Sequence, residues 1–176
     1  MSSLDIVLGD RSTAISRDLR LNLNRLLTEG FLNPTESALT LLATATSVEH
    51  APLVLYAREK LAELGVHQDH VLEAEESAAI MGMLNTYYRF KHFIHNEEDY
   101  KAAGLRMTAL AKPVLGKEQF EMLALAVSCI NGCEMCVTSH EKVLRASGVT
   151  PDKIHDLARI ASVVKGLKTL STITVP

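Results

Sequence analysis

Three side chains able to exchange protons and electrons stand close together in this sequence. Cys133 and Cys136 form the pair Cys133-Glu134-Met135-Cys136, and His140 follows four residues later. On a helix the positions i, i+3 and i+7 lie along one face. Thiols one turn apart fall within the Cα separation that a disulfide bridges. An imidazole one turn beyond Cys136 can take or hold its proton, directly or through one water. The reactive species toward a peroxide or a disulfide is the thiolate. An ordinary thiol is roughly 3% ionised at neutral pH, and lowering its pKa by about two units makes it mostly thiolate. Asn131-Gly132 reads as a turn or helix start, whose exposed N–H groups would stabilise such a thiolate. The residues leave open which sulfur attacks first: His140 favours Cys136 and the helix start favours Cys133.

Other chemistries use the same pair. A structural zinc site needs four ligands, and the chain has no second CxxC to supply them. A thioredoxin-like motif needs a strand before its helix, and no period-2 strand pattern is legible. Two unreactive cysteines in a helical binding module remain a third reading. Cys129 is the odd cysteine and reads as a small apolar residue, with a disulfide to Cys133 as its alternative. His67 and His70 stand at i, i+3, as do His92 and His95; both pairs read as solvated helix ends rather than metal ligands. His50, before Pro52, reads as a helix start, and Arg106 as one half of a buried ion pair.

The elements that position these residues are helical. The chain has 176 residues, enough for one domain with a core that needs no disulfide staple. Nine Gly, five Pro and long Ala/Leu-rich stretches point to an all-α fold. Residues 15–29 carry the stripe Leu19, Leu23, Leu26 and Leu27, ended by Gly30. Asn33-Pro34-Thr35-Glu36 predicts a helix start, with Asn33 as cap, Pro34 first and Glu36 third. Further helices are predicted over 51–64, ending at Gly65, and over 69–92. Another starts at Thr150-Pro151. A net charge of −3 offers no footprint for nucleic acid. The apolar run Leu123–Ile130 is too short for a membrane span, and Met1–Asp5 carries no basic start of a signal peptide. The expected location is therefore cytoplasmic, where a CxxC is catalytic or metal-binding rather than structural.

An internal repeat adds to this. At an offset of 83, Gly65-Val66 and Asp69 match Gly148-Val149 and Asp152; Ala78, Leu84 and Thr86 match Ala161, Leu167 and Thr169. At 82, Glu59-Lys60 matches Glu141-Lys142, setting Ala51, Val54 and Arg58 opposite Cys133, Cys136 and His140. Two similar helical units are expected, about 36–90 without cysteine and about 118–172 carrying the site.

Glu121, twelve residues before Cys133, completes the pattern E-x11-C-x-x-C-x-x-x-H. With Ala79–Met83, Tyr88-Arg89, Gly104–Met107 and the run from Phe120 to Cys133, this resembles the alkyl hydroperoxidase D family. That family lies within the carboxymuconolactone decarboxylase-like superfamily, and the likeness covers nearly the whole chain. The resemblance implies that Cys136 attacks peroxide, that Cys133 resolves the sulfenic acid, and that His140 and Glu121 relay the proton. It implies an antioxidant enzyme acting on organic hydroperoxides, with no bound cofactor or metal. Re-reduction would come from dihydrolipoamide on a lipoyl-bearing dehydrogenase subunit. Electrons could pass on to a peroxiredoxin of the AhpC type. It implies a homotrimer as well. A decarboxylase-type activity of the wider superfamily is a further alternative, which does not need the dithiol. Relatives often carry His where this chain has Met135, so weaker peroxide reactivity is expected. Glu134 would oppose thiolate formation if it lies near.

Overall fold

A computed structural model describes residues 11–94 and 98–173 of the chain. Among these the regular elements are α-helices and one 3-10 turn: α1 Ala14–Thr28, α2 Pro34–Ser47, α3 Ala51–Glu63, α4 Gln68–Ile94, the turn Thr108–Ala111, α5 Lys117–Asn131, α6 Glu134–Ala146 and α7 Pro151–Ser171. The all-α expectation holds.

Helices α2 and α5 form the centre. Every residue of α2 from Glu36 to Ala45 is buried, as is α5 from Met122 to Ser128. A helix apolar on all sides must be enclosed on all sides, and these two are. They pack on each other; α2 also meets α3, α4 and α7, and α5 meets α4, α6 and α7. Buried hydroxyls in α2 are satisfied within the helix: Thr40 and Thr44 each donate to the carbonyl four residues back, at 2.7 Å.

The predicted caps form. The Asn33 side chain accepts from the Glu36 N–H at 2.9 Å, and the Glu36 carboxylate accepts from the Asn33 N–H at 2.8 Å. Glu36 also receives Lys153 Nζ at 2.6 Å, tying the start of α2 to α7. His50 caps α3, its Nδ1 accepting from the Leu53 N–H at 3.2 Å. Gly30 follows α1 for a reason other than backbone handedness. A Cβ there would lie 2.7 Å from the Leu26 carbonyl oxygen and 2.8 Å from the buried Asp156 carboxylate. That carboxylate accepts the Phe31 N–H at 2.6 Å and fixes the α1–α2 turn on α7. Arg106 is exposed, against the expectation of a buried ion pair: it lies on the irregular segment after α4.

Helices α2, α3 and α4 begin 83 residues before α5, α6 and α7. The turns agree in detail. His50 N–H donates to the Ala45 carbonyl and Cys133 N–H to the Ser128 carbonyl, each after a residue of positive φ, Glu49 and Gly132. This offset sets His50, Leu53 and Ala57, rather than Ala51, Val54 and Arg58, opposite Cys133, Cys136 and His140. Alignment through Glu59-Lys60 alone slips by one residue.

Candidate active site

The site is built where α5 hands over to α6. Gly132 adopts φ 64° and ψ 38°, a left-handed conformation that glycine enters without steric cost. Its N–H donates to the Cys129 carbonyl and the N–H of Cys133 to that of Ser128, closing α5. Cys133 then serves as the N-cap of α6, with φ −95° and ψ 93°. It therefore stands just outside the helix rather than on the helical face that simple i, i+3, i+7 spacing draws. The cause is the Gly132 turn, which delays the start of α6 to Glu134. Cys136 is the third helical residue. The consequence is chemical: the N–H groups of the first turn have no intrahelical acceptors, and both cysteines stand at this positive end of the helix.

Cys133 and Cys136 are joined in a disulfide, with a Cα separation of 5.3 Å. Both are buried, at 1% and 6% exposure, so a reagent reaches the sulfurs only through a channel. Such a channel is present. A cavity of about 320 Å³ is lined by Cys136, His140 and Glu121 on one side, and Cys133 does not line it. Across it stand Met81, Leu84 and Tyr88 of α4 and Met107, Leu110 and Pro113 of the segment that follows. The wall is mostly apolar, with a few convergent polar groups, as a small-molecule site requires.

His140 Nδ1 lies 2.6 Å from Glu121 Oε2, and each side chain is only 19% exposed. The carboxylate accepts the Nδ1 proton, so Nε2 is left as the acceptor nitrogen. Glu121 comes from the first turns of α5 and His140 from the second turn of α6; the α5–α6 packing brings them together. The four residues singled out by sequence thus converge. Met135 also lines the cavity and is 38% exposed. Glu134 has an 84% exposed carboxylate that turns toward His92, 4.0 Å away, so water screens its charge from the sulfur pair.

Several contributors carry no signal in a CxxC search. Buried Asn85 of α4 donates to Ser128 Oγ at 3.0 Å and accepts from Asn131 at 2.9 Å, while Arg89 donates to the Asn131 carbonyl at 2.9 Å. This network clamps the end of α5 just before Gly132. Cys129 is a free thiol, half-buried against the core, and burial raises its pKa. The expected apolar role fits it. His67 is exposed, while His95 lies outside the described residues, so the second histidine pair is not described.

Comparison with known proteins identifies the family. Residues 100–172 match the carboxymuconolactone decarboxylase family. The chain is 43% identical over 150 residues to the alkyl hydroperoxide reductase AhpD of Anaeromyxobacter dehalogenans (strain 2CP-C), covering 85% of this chain and 80% of that protein. It is 37% identical to proteins of that name from Gluconacetobacter diazotrophicus, over 89% and 86% of the two chains, and Streptomyces coelicolor, over 86% and 85%. A buried cysteine pair on a helix start, a His–Glu pair facing one of its sulfurs, and likeness along most of both chains carry one conclusion: the chain belongs to the AhpD family of alkyl hydroperoxide reductases.

Proposed function

We propose that this protein reduces organic hydroperoxides with its Cys133–Cys136 dithiol and is itself re-reduced by a small dithiol. The observation that carries this reading is that Cys136, and not Cys133, lines the cavity into which the His140–Glu121 pair faces.

The steps balance as follows. His140 Nε2 accepts the Cys136 thiol proton, with one water able to bridge the two. The Cys136 thiolate attacks the terminal oxygen of R–O–O–H. The O–O bond breaks, Cys136 becomes a sulfenic acid, and the departing alkoxide takes the proton from His140 and leaves as R–OH. Cys133 sits at the N-cap of α6, where the positive end of the helix dipole favours its thiolate. That thiolate attacks the Cys136 sulfur and expels hydroxide, which takes up the proton given up by the Cys133 thiol and leaves as water, forming the disulfide. The dithiol loses two electrons and the peroxide gains two. The two influences that sequence set in competition thus act on different sulfurs, His140 on Cys136 and the helix start on Cys133.

Reduction reverses the path. A dithiol of the dihydrolipoamide kind enters the cavity, and its thiolate attacks Cys136. Cys133 leaves as a thiolate, and the second thiol of the reductant then releases Cys136. A lipoyl-bearing dehydrogenase subunit as donor, an AhpC-type peroxiredoxin as acceptor and a cytoplasmic setting complete the proposal, supported by family membership. A homotrimer belongs to it too, supported by the apolar end of α4, where Phe90, Phe93 and Ile94 are 41%, 72% and 40% exposed. Among the described residues no helix is long and apolar enough to cross a membrane. The two three-helix runs are read as copies of one unit, with the chemistry confined to the second.

The test is single-turnover oxidation by cumene hydroperoxide, followed by reduction with dihydrolipoamide. Cys136→Ser should be inert to peroxide. Cys133→Ser should stop at a sulfenic acid on Cys136, captured by dimedone and located by mass. A wild-type dithiol inert to both reagents would overturn the reading, and sulfenic acid on Cys133 would overturn the assignment of the attacking sulfur.

A further inference from the structure

Part of the cavity wall facing Cys136 comes from outside the α-helices. Chain leaving the end of α4 runs back along that helix from residue 98 to Gly116 before α5 begins, contributing Met107, Leu110 and Pro113 to the lining. None of the residues of this strap, from 98 to 116, is fully buried, although Met107, Leu110 and Leu115 pack partly buried against the core. At its start Tyr100 stacks edge-on against Phe90, with ring centroids 5.2 Å apart, and the Tyr87 hydroxyl donates to the Ala102 carbonyl at 3.5 Å. At its far end one side chain does the tethering. Glu73 accepts the N–H of Val114 at 2.8 Å through one carboxylate oxygen and that of Leu115 at 2.6 Å through the other. Gly116 closes the adjoining turn onto the Pro113 carbonyl at 3.1 Å, with φ 79°. Glu73 lies 21 residues from the end of α4, so the strap is pinned about 30 Å back along the helix.

We propose that Glu73 is a positioning residue that holds this strap over the site, and that the strap selects hydroperoxides with bulky apolar substituents. The inference rests on the peroxidase reading above and names its specificity element. Attack occurs at the terminal oxygen, next to Cys136. The organic substituent must then extend away from the sulfur, toward Met107, Leu110 and Pro113. Hydrogen peroxide has no such substituent and draws nothing from that wall. Glu73 does not line the cavity and touches no reacting atom. Its two bonds are charge-assisted and so stronger than ordinary backbone pairs. A Gln at this position keeps one acceptor oxygen and loses the other bond.

The experiment compares wild type, Glu73→Gln, Glu73→Ala and Leu110→Ala on two oxidants, cumene hydroperoxide and hydrogen peroxide. Glu76→Ala, exposed on the same helix, is the control. Hydrogen exchange is followed across residues 101–116. For Glu73→Ala, kcat/KM toward cumene hydroperoxide should fall about tenfold, through KM rather than kcat. The rate with hydrogen peroxide should stay within about twofold, and strap amides should exchange faster. Glu73→Gln should fall between, and Leu110→Ala, which leaves both Glu73 bonds in place, should reproduce the selective loss. Equal losses on both oxidants, or an unchanged KM despite faster exchange, would overturn the proposal. Wild type that reduces neither peroxide would sink the underlying reading and the selectivity with it. That result is seen in the wild-type arm alone.

Discussion

Glu121→Gln isolates the contribution of the carboxylate behind His140. The substitution keeps the shape of the side chain and removes its charge. In the resting site Glu121 Oε2 and His140 Nδ1 are 2.6 Å apart, and both side chains are four-fifths covered, so solvent screens the pair only in part. When His140 takes the thiol proton it becomes an imidazolium held against a carboxylate. A hydrogen bond to a charged group at such a site contributes about 2 kcal/mol. That cost appears where the imidazolium forms, so oxidation of the dithiol should slow about thirtyfold. A Gln amide that donates to Nδ1 also forces the proton onto Nε2, the nitrogen needed as base. The assay is stopped-flow oxidation of reduced protein by cumene hydroperoxide, single turnover, with His140→Gln and the double variant alongside. Residues acting as one unit are not additive, so the double variant should be no slower than His140→Gln. A Glu121→Gln rate within about threefold of wild type, or a double variant whose losses multiply, would refute the relay.

Three further outcomes follow from named contacts. Met135→His places an imidazole at a cavity-lining position beside Cys136 and should raise the rate of peroxide attack severalfold; no gain by the same stopped-flow assay would show that the missing imidazole is not limiting. His50 should make stability pH-dependent. Burial, and secondarily Lys168, lower its pKa in the folded protein. Its contribution is therefore complete above about pH 6.5 and lost as pH falls below, because the unfolded chain takes the proton first. His50→Asn keeps a capping oxygen and should flatten that part of the urea-stability profile; an unaltered slope would refute the assignment. Glu36→Ala removes both the capping-box acceptor and the Lys153 partner, and should cost about 2 kcal/mol in urea unfolding with an unchanged m-value.

What was readable in the sequence was local. The capping box at Asn33–Glu36, the Pro-led starts of α2 and α7 and the stop at Gly65 depend on residues within a turn of one another, and each formed. The spacing from Cys133 to His140 is likewise a property of one short segment, and Glu121 entered through resemblance to a family pattern. Even there, one local detail was decided by the turn before it: Gly132 in the left-handed region puts Cys133 at the cap and Cys136 inside the helix, a difference that residue spacing does not encode. The slip between offsets of 82 and 83 has the same origin, since helix ends are set by backbone hydrogen bonds rather than by matching letters.

The residues left unread act over long separations. Asn85 reaches Ser128 and Asn131 across the α4–α5 packing, Glu73 holds Val114 and Leu115 from another element, and Met107, Leu110 and Pro113 meet Cys136 only because the strap folds back. Nothing in their own neighbourhoods marks them, because each pairing is decided by how helices pack and not by which residues adjoin. The sequence by itself thus determined the helical class, most helix ends and the dithiol with its histidine. Only the tertiary structure decided which sulfur faces the cavity, what walls that cavity and what holds the wall in place. Redox chemistry needs a few side chains at short spacing, whereas access to it depends on surfaces that come together from distant parts of the chain.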